Sequence, residues 1–318
     1  MDSTTEKRKR PLAITLGITG DMAFAAGCVL QGIRKYSPDL DADILIYTDG
    51  ALPEADAELL RSLGADLLPY TPPVIDFDPE SVRMYSPLTL SKLDCLLLLD
   101  RYERVVWLDA DIAVQGDIRE LAEYGPFGMA LEDPAFMGNE EPSPVSINVR
   151  EPLPGLDSEA PNLNGGILVL HDSLPGPAKL HRMCMRWLAE HASKIIYMEQ
   201  PALNMLAQML RKRDPTLFRE VPYDRFNAHP YNPSAQRAVI VHAFGAAKMW
   251  NDGLVNCAFP EWERDYRRWL ALGGSAWQGA MRNAEFMGHG AMFLLCSYHF
   301  TADRLEKEVR ALRAELEG

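Results

Sequence analysis

The sequence has no cysteine framework. Its five cysteines, Cys28, Cys95, Cys184, Cys257 and Cys296, are scattered, odd in number and without a Cys-x-x-Cys spacing. That excludes a disulfide-stapled fold and a thiolate zinc site, and it points to free thiols in a reducing, cytoplasmic setting. No apolar run approaches the ~20 residues that span a bilayer. The opening MDSTTEKRKR is polar and basic with no apolar stretch behind it, so it reads as a disordered tail and not as a secretory signal. Positive charge is in deficit, the formal net charge being -13. A chain this acidic is a poor partner for nucleic acid in bulk, and it repels an anionic nucleotide unless local cations intervene. Internal repeats and low-complexity blocks are also missing.

The composition that remains is globular, with 47% hydrophobic and 24% charged residues over 318 positions. That length suits one large α/β domain or two smaller ones. Apolar runs at Leu12–Leu16, Ile44–Tyr47, around Leu67, at Val105–Leu108, Asn164–Leu170 and Val239–Val241 predict strands. Helical patterns run over Asp21–Ile33, with Asp21 as N-cap, and over Glu54–Leu63, Leu88–Leu99, Leu180–His191 and Pro201–Leu210. The alternation predicts a mainly parallel sheet covered on both faces, which binds ligands at the carboxyl ends of its strands. Pro142–Pro161, rich in proline and polar residues, reads as an excursion over the site. Phe127 through Arg150 offers no recognisable chemistry.

Chemistry concentrates in two places. In RVVWLDADIAV, Asp109 and Asp111 follow a strand directly, and a spacing of two lets both carboxylates approach one hard cation as the strand ends. Asp39 with Asp41, Asp41 with Asp43, and Asp76 with Asp78 share the spacing but precede a strand or lie in a loop. Two readings of the pair stand, a solvated turn and a metal site. In VIVHAFGAAKMWN, His242 ends an apolar run, and Gly245 and Lys248 follow at intervals of three. His242 is either a satisfied core histidine or a third metal ligand. Gly245 lets backbone approach a phosphate, Lys248 brings positive charge to it, and Trp250 could close the site.

These segments resemble glycosyltransferase family 8, the retaining group that includes glycogenin and galactinol synthase. LSKLDCLLLLDRYERVVWLDADIAV resembles the family's lysine-bearing helix, strand and Asp-x-Asp block. NGGILVL resembles its Asn-x-Gly strand, EQPALN its Asp-Gln-x-x-Leu-Asn helix start, and HAFGAAKMWN its His-x-x-Gly-x-x-Lys-Pro-Trp closing motif. ITLGITGDMAFAAGCVL resembles its first strand and uracil loop with one extra residue, so the likeness covers Leu12 to Asp252. It implies a GT-A fold, a Rossmann-like, mainly parallel mixed sheet flanked by helices. It also implies retaining transfer of a hexose from a UDP-sugar with Mn²⁺, or Mg²⁺, to an acceptor that is not legible.

By that likeness Asp109, Asp111 and His242 hold the metal, and Gly245 and Lys248 meet the diphosphate. Lys92 lies on the donor side, and Thr15, Gly17 and Phe24 line the nucleotide pocket. Asn164 and Gly165 meet the sugar. Glu199 lies at the sugar site and Gln200 near the anomeric carbon, and with Lys248 they form the catalytic set. Three departures stand out: Phe24 for a frequent tyrosine, Glu199 for an aspartate, and Met249 for the proline of the closing motif.

Two other functions compete. A sugar-phosphate nucleotidyltransferase opens with a basic glycine-rich loop, and ITLGITGDMAF carries no basic residue. A non-catalytic binding or assembly protein on the same fold has no need to keep all three metal ligands and Lys248. The expected division is a tail at 1–10, a transferase domain over 11–258 and a helical C-terminal extension over 259–318. In the extension Leu305, Val309, Leu312 and Leu316 repeat as a coiled-coil seam, which either packs on the parent domain or mediates a homodimer, with peripheral membrane contact through Phe293, Leu294 and Leu295 as the weaker option.

Overall fold

A computed structural model describes residues 8–281. The Cys296 thiol, the leucine seam and the apolar 293–295 triplet all lie outside the described residues. In chain order the elements are β1 (Arg10–Ile18), α1 (Ala23–Tyr36), β2 (Asp43–Thr48), α2 (Glu54–Ser62), β3 (Ala65–Pro69), α3 (Pro79–Met84), α4 (Ser91–Leu98), β4 (Tyr102–Leu108) and β5 (Ile112–Val114). They continue with β6 (Phe127–Leu131), β7 (Leu163–His171), α5 (Pro177–His191), α6 (Gln200–Arg213), β8 (Phe218–Val221), α7 (Tyr223–Phe226), β9 (Ile240–His242), α8 (Gly253–Ala258) and α9 (Pro260–Ala271).

Seven strands form one sheet in the order β3-β2-β1-β4-β7-β6-β8, and β5 pairs with β9 in a separate two-stranded ribbon. β1, β2, β3 and β4 run parallel, β7 is antiparallel to both its neighbours, and β8 is parallel to β6. The expected mainly parallel mixed sheet is therefore present. Side chains alternate across it as strand geometry demands. Val106, Leu108, Ile167 and Val169 face a core shared with α1, α9 and the ribbon. Val105, Trp107, Leu168 and Leu170 face a core shared with α4, α5 and α6. With both faces covered, the central strands read as continuous apolar runs instead of alternating ones.

Three details differ from expectation. β1 begins at Arg10, and Lys9 already pairs with Asp172 at 3.0 Å, so positions 9 and 10 do not belong to the tail expected over 1–10. Helix α1 starts at Ala23 with Met22 as its cap residue. Asp21 does not cap it, because its carboxylate accepts the Thr19 hydroxyl at 2.7 Å instead. β6 occupies the start of the 127–150 stretch, where no strand was expected. Beyond the family-like region, α9 packs tightly on α1. Trp262 and Trp269 are buried there, and a Cβ on Gly27 would lie 2.2 Å from the Trp269 ring. Among the described residues no helix is long and apolar enough to cross a membrane. Cys28, Cys95, Cys184 and Cys257 are free thiols.

Candidate active site

The site forms where β1 and β4 end and antiparallel β7 begins. Asp109 follows β4 directly, and its backbone N–H donates to the Gly166 carbonyl at the start of β7, at 2.9 Å. The chain then turns into β5, whose Ile112 pairs with His242 of β9. That ribbon brings Asp111 and His242 together from 131 residues apart, with His242 Nε2 3.0 Å from Asp111 Oδ1 and 3.7 Å from Asp109 Oδ2. One ligand atom from each of Asp109, Asp111 and His242 lies within 4.8 Å of the others.

The imidazole has a fixed orientation. Asn227 Nδ2 donates to the Leu131 carbonyl, so its Oδ1 is the acceptor for His242 Nδ1–H at 2.8 Å. Nε2 is thereby the nitrogen turned to the carboxylates, the arrangement typical of a ligating histidine. Gly166 gives the ring its room, since a Cβ there would lie 2.0 Å from His242 Cε1.

Two lysines hold the carboxylates. Lys248 Nζ contacts Asp111 and donates to the Ala243 carbonyl at 2.8 Å. Burial alone would raise the Asp111 pKa, but Lys248 and His242 outweigh it and hold the carboxyl well below its usual range. Lys92 is buried between Asp109, at 3.0 Å, and Glu199, at 2.8 Å. Burial alone would lower its pKa, but the two carboxylates override that and hold it above the ordinary lysine value. Trp107 adds an indole N–H to Asp109 at 2.7 Å.

Lys92, Glu199 and Gln200 converge on Gly165. The position a Cβ would take there lies 3.5 Å from Glu199 Oε1 and 3.6 Å from both Gln200 Oε1 and Lys92 Nζ. Glycine thus leaves a carbon-sized space floored by backbone and ringed by three polar atoms. Asn164 turns its Oδ1 to the Gly166 N–H at 2.9 Å and shapes this strand start. Gly245, in the loop after His242, has φ +81°, and a Cβ would lie 2.4 Å from the Phe136 ring. Both facts require glycine.

Residues 13–253 match the model of glycosyl transferase family 8. The chain belongs to that family. A 106-residue segment is 29% identical to Glycosyltransferase 8 domain-containing protein 2 of Mus musculus, covering 30% of each chain. A 126-residue segment is 29% identical to Galactinol synthase 7 of Arabidopsis thaliana, covering 38% of this chain and 36% of that one. These matches span about a third of the relatives' own length. Among solved structures, the galactosyltransferase LgtC in complex with donor and acceptor sugar analogs is similar with a TM-score of 0.55 at 17% identity, over 87% of this chain and 99% of that one. The bifunctional glycosyltransferase WbbM gives 0.57 at 13% identity, over 83% and 51%. The fold is accordingly GT-A.

Within this family 8 site, most of the expected residues gather and two do not. Gly17 lines a cavity of about 150 Å³ together with Thr19, Met22, Lys92, Trp107 and Asp109. Thr15 sits deeper, fully buried, its hydroxyl donating to the Val106 carbonyl at 3.1 Å, so it does not line this cavity. Phe24 is also absent from the cavity wall. Its ring is 2% exposed and packs edge-on against Trp250 at 5.3 Å and Tyr266 at 5.8 Å, and Met22 takes the place beside Gly17. Trp250 likewise packs in this aromatic cluster, against Phe24 and Trp262. The supporting residues Trp107, Asn227, Asn148 and Asn162 were not visible as functional from sequence.

Proposed function

We propose that this family 8 member is a retaining, metal-dependent glycosyltransferase that moves a hexose from a UDP-sugar to an acceptor hydroxyl, acting in the cytoplasm. The observation that carries the reading is the Asp109–Asp111–His242 group, with Lys248 beside it and the glycine-floored space across from it. Two carboxylates and an imidazole with Nε2 turned inward suit Mn²⁺ or Mg²⁺, which Asp109, Asp111 and His242 would hold. Such an ion, when bound, supplies Lewis-acid stabilisation of the departing diphosphate.

The protein's own side chains do the rest. Asp109, Asp111 and Glu199 bring three negative charges and Lys92 and Lys248 two positive ones, a balance of -1. A divalent cation turns that to +1, which admits an anionic donor into an acidic chain. Lys248 places its ammonium where negative charge grows as the bond to the anomeric carbon breaks. Glu199 and Gln200 hold the sugar over Gly165 and face the positive charge that develops on its ring. No side chain in this set serves as a general base, so the leaving phosphate oxygen takes the acceptor's proton.

Incubation with UDP-galactose and UDP-glucose in Mn²⁺ tests the reading through release of UDP. UDP-galactose is the first choice because LgtC is a galactosyltransferase. Absence of UDP release across a panel of nucleotide sugars, with and without candidate acceptors, would refute it.

A further inference from the structure

We propose that Asn148 and Asn162 are positioning residues that set which end of the Gln200 carboxamide faces the donor sugar. The inference rests on the glycosyl-transfer reading above. It comes from a chain of hydrogen bonds with a single direction. The Gly165 N–H donates to Gln200 Oε1 at 3.0 Å, and Gln200 Nε2 donates to Asn148 Oδ1 at 3.0 Å. Asn148 Nδ2 donates to Asn162 Oδ1 at 2.7 Å, and Asn162 Nδ2 donates to Glu132 Oε2 at 2.9 Å.

The two ends fix the direction. A backbone N–H can only donate, and a carboxylate oxygen accepts. Each carboxamide between them has one accepting and one donating end. Reversing any one of them sets donor against donor and acceptor against acceptor. Asn148 and Asn162 are 0% exposed, so water does not rescue a broken link. Asn204 braces the relay, donating to Asn162 Oδ1 at 3.3 Å and to the Leu163 and Gln200 carbonyls at 2.9 and 3.0 Å. The backbone enters Glu199 and Gln200 through Met198, a fully buried non-glycine residue at φ +35°. Such a conformation persists only where its surroundings enforce it. Backbone and side chain of Gln200 are thus both held.

The orientation has a chemical consequence. Gln200 Oε1 borders the space over Gly165 and keeps a lone pair after accepting the Gly165 N–H. An oxygen there favours a sugar ring gaining positive charge. The amide nitrogen in its place would oppose that charge and clash with the Gly165 N–H. Asn148 belongs to the proline-rich excursion, and that segment reaches the site through this link.

The test compares wild type with Asn148→Ala, Asn148→Asp, Gln200→Ala and the double variant Asn148→Ala/Gln200→Ala, with UDP-galactose or UDP-glucose and Mn²⁺. Asn148→Ala should lower kcat about 10- to 100-fold, with the donor KM and the Kd for UDP within about threefold and melting still cooperative. Asn148→Asp keeps an oxygen for Gln200 Nε2 but sets a second oxygen against Asn162 Oδ1, so it should lose at least as much as Asn148→Ala, and wild-type kcat in it would overturn the relay. In the Gln200→Ala background, Asn148→Ala should add nothing further. Should the alanine variant not fold, Asn148→Ser replaces it. Unchanged kcat, or losses that multiply in the double variant, overturn the relay. If wild type releases no UDP, the functional reading fails separately. Hydrogen exchange of the Gln200 side-chain amide then decides: slow exchange in wild type and fast in Asn148→Ala supports the relay, and equal rates overturn it.

Discussion

Gly165 and Gly166 are adjacent, yet adding one methyl group to each should break different functions. A Cβ at Gly166 lies 2.0 Å from His242 Cε1 and 2.4 Å from Nδ1, against an ordinary contact of 3.4 Å. The ring would have to move about 1.4 Å, the difference between 3.4 and 2.0. It cannot do so freely, being 1% exposed, bonded through Nδ1 to Asn227 and packed on Phe244 with centroids 5.1 Å apart. Overpacking of this kind costs about 1–3 kcal/mol. A shifted metal-ligand geometry typically costs about 10- to 100-fold in affinity. Gly166→Ala should therefore bind Mn²⁺ about 10- to 100-fold more weakly by calorimetry and melt a few degrees lower. At Gly165 the added Cβ meets its nearest polar atoms at 3.5–3.6 Å, an ordinary contact, so the fold should stand. The methyl would fill the space assigned to the sugar. Gly165→Ala should keep wild-type Mn²⁺ affinity and melting, while the donor KM rises about tenfold or more. Wild-type Mn²⁺ binding in Gly166→Ala, or weakened Mn²⁺ binding with a normal donor KM in Gly165→Ala, would refute this division of the site.

Asp109→Asn and Asp111→Asn should each abolish UDP release while melting stays cooperative, and full activity of either variant in EDTA would reject the metal site. Lys248→Ala should lower turnover by ~10²-fold or more, as loss of one charge-stabilising contact does, and an unchanged kcat would leave Lys248 as a structural partner of Asp111 with no part in the reaction. UDP should bind about tenfold or more weakly in EDTA than in Mn²⁺, because the two charges are coupled, and equal Kd values would contradict the charge balance drawn above. Burial raises the Asp265 carboxyl to about 6 from 3.8, with Lys35 opposing the shift. The folded chain thus favours the protonated acid, and stability falls as pH rises from about 4 through 6. Asp265→Asn should raise Tm by about 2 °C or more at pH 7.5 and give no gain near pH 3.5, and the reverse order of gains would refute the assignment.

The parts of this molecule that could be read from sequence are those with a local pattern. The run before Asp109 announced β4, and the strand-end position of the carboxylates followed from it. VIV announced β9 and placed His242 at its end. What joins them, the Ile112–His242 pairing, is a long-range contact with no local signature. The short strand β6, FGMAL, has neither alternation nor β-branched residues to mark it. The two misplaced pocket residues fail for geometric reasons. Thr15 shares a strand face with Gly17, but two residues at ~3.3 Å each leave it about 7 Å behind Gly17, inside the strand. There its hydroxyl bonds to β4 and not to a ligand. Met22 and Phe24 are two residues apart at the start of a helix, which separates them by about 200° around its axis. Helix α1 begins at Ala23, so one side chain turns to the cavity and the other to the core. An aromatic residue near the right position is therefore a poor guide where a helix starts, because an error of two residues exchanges its faces. The asparagines behind the site are hidden more completely. Asn227, Asn148 and Asn162 act through partners 15, 52 and 30 residues away, and a carboxamide acquires its direction only when both its neighbours are in place.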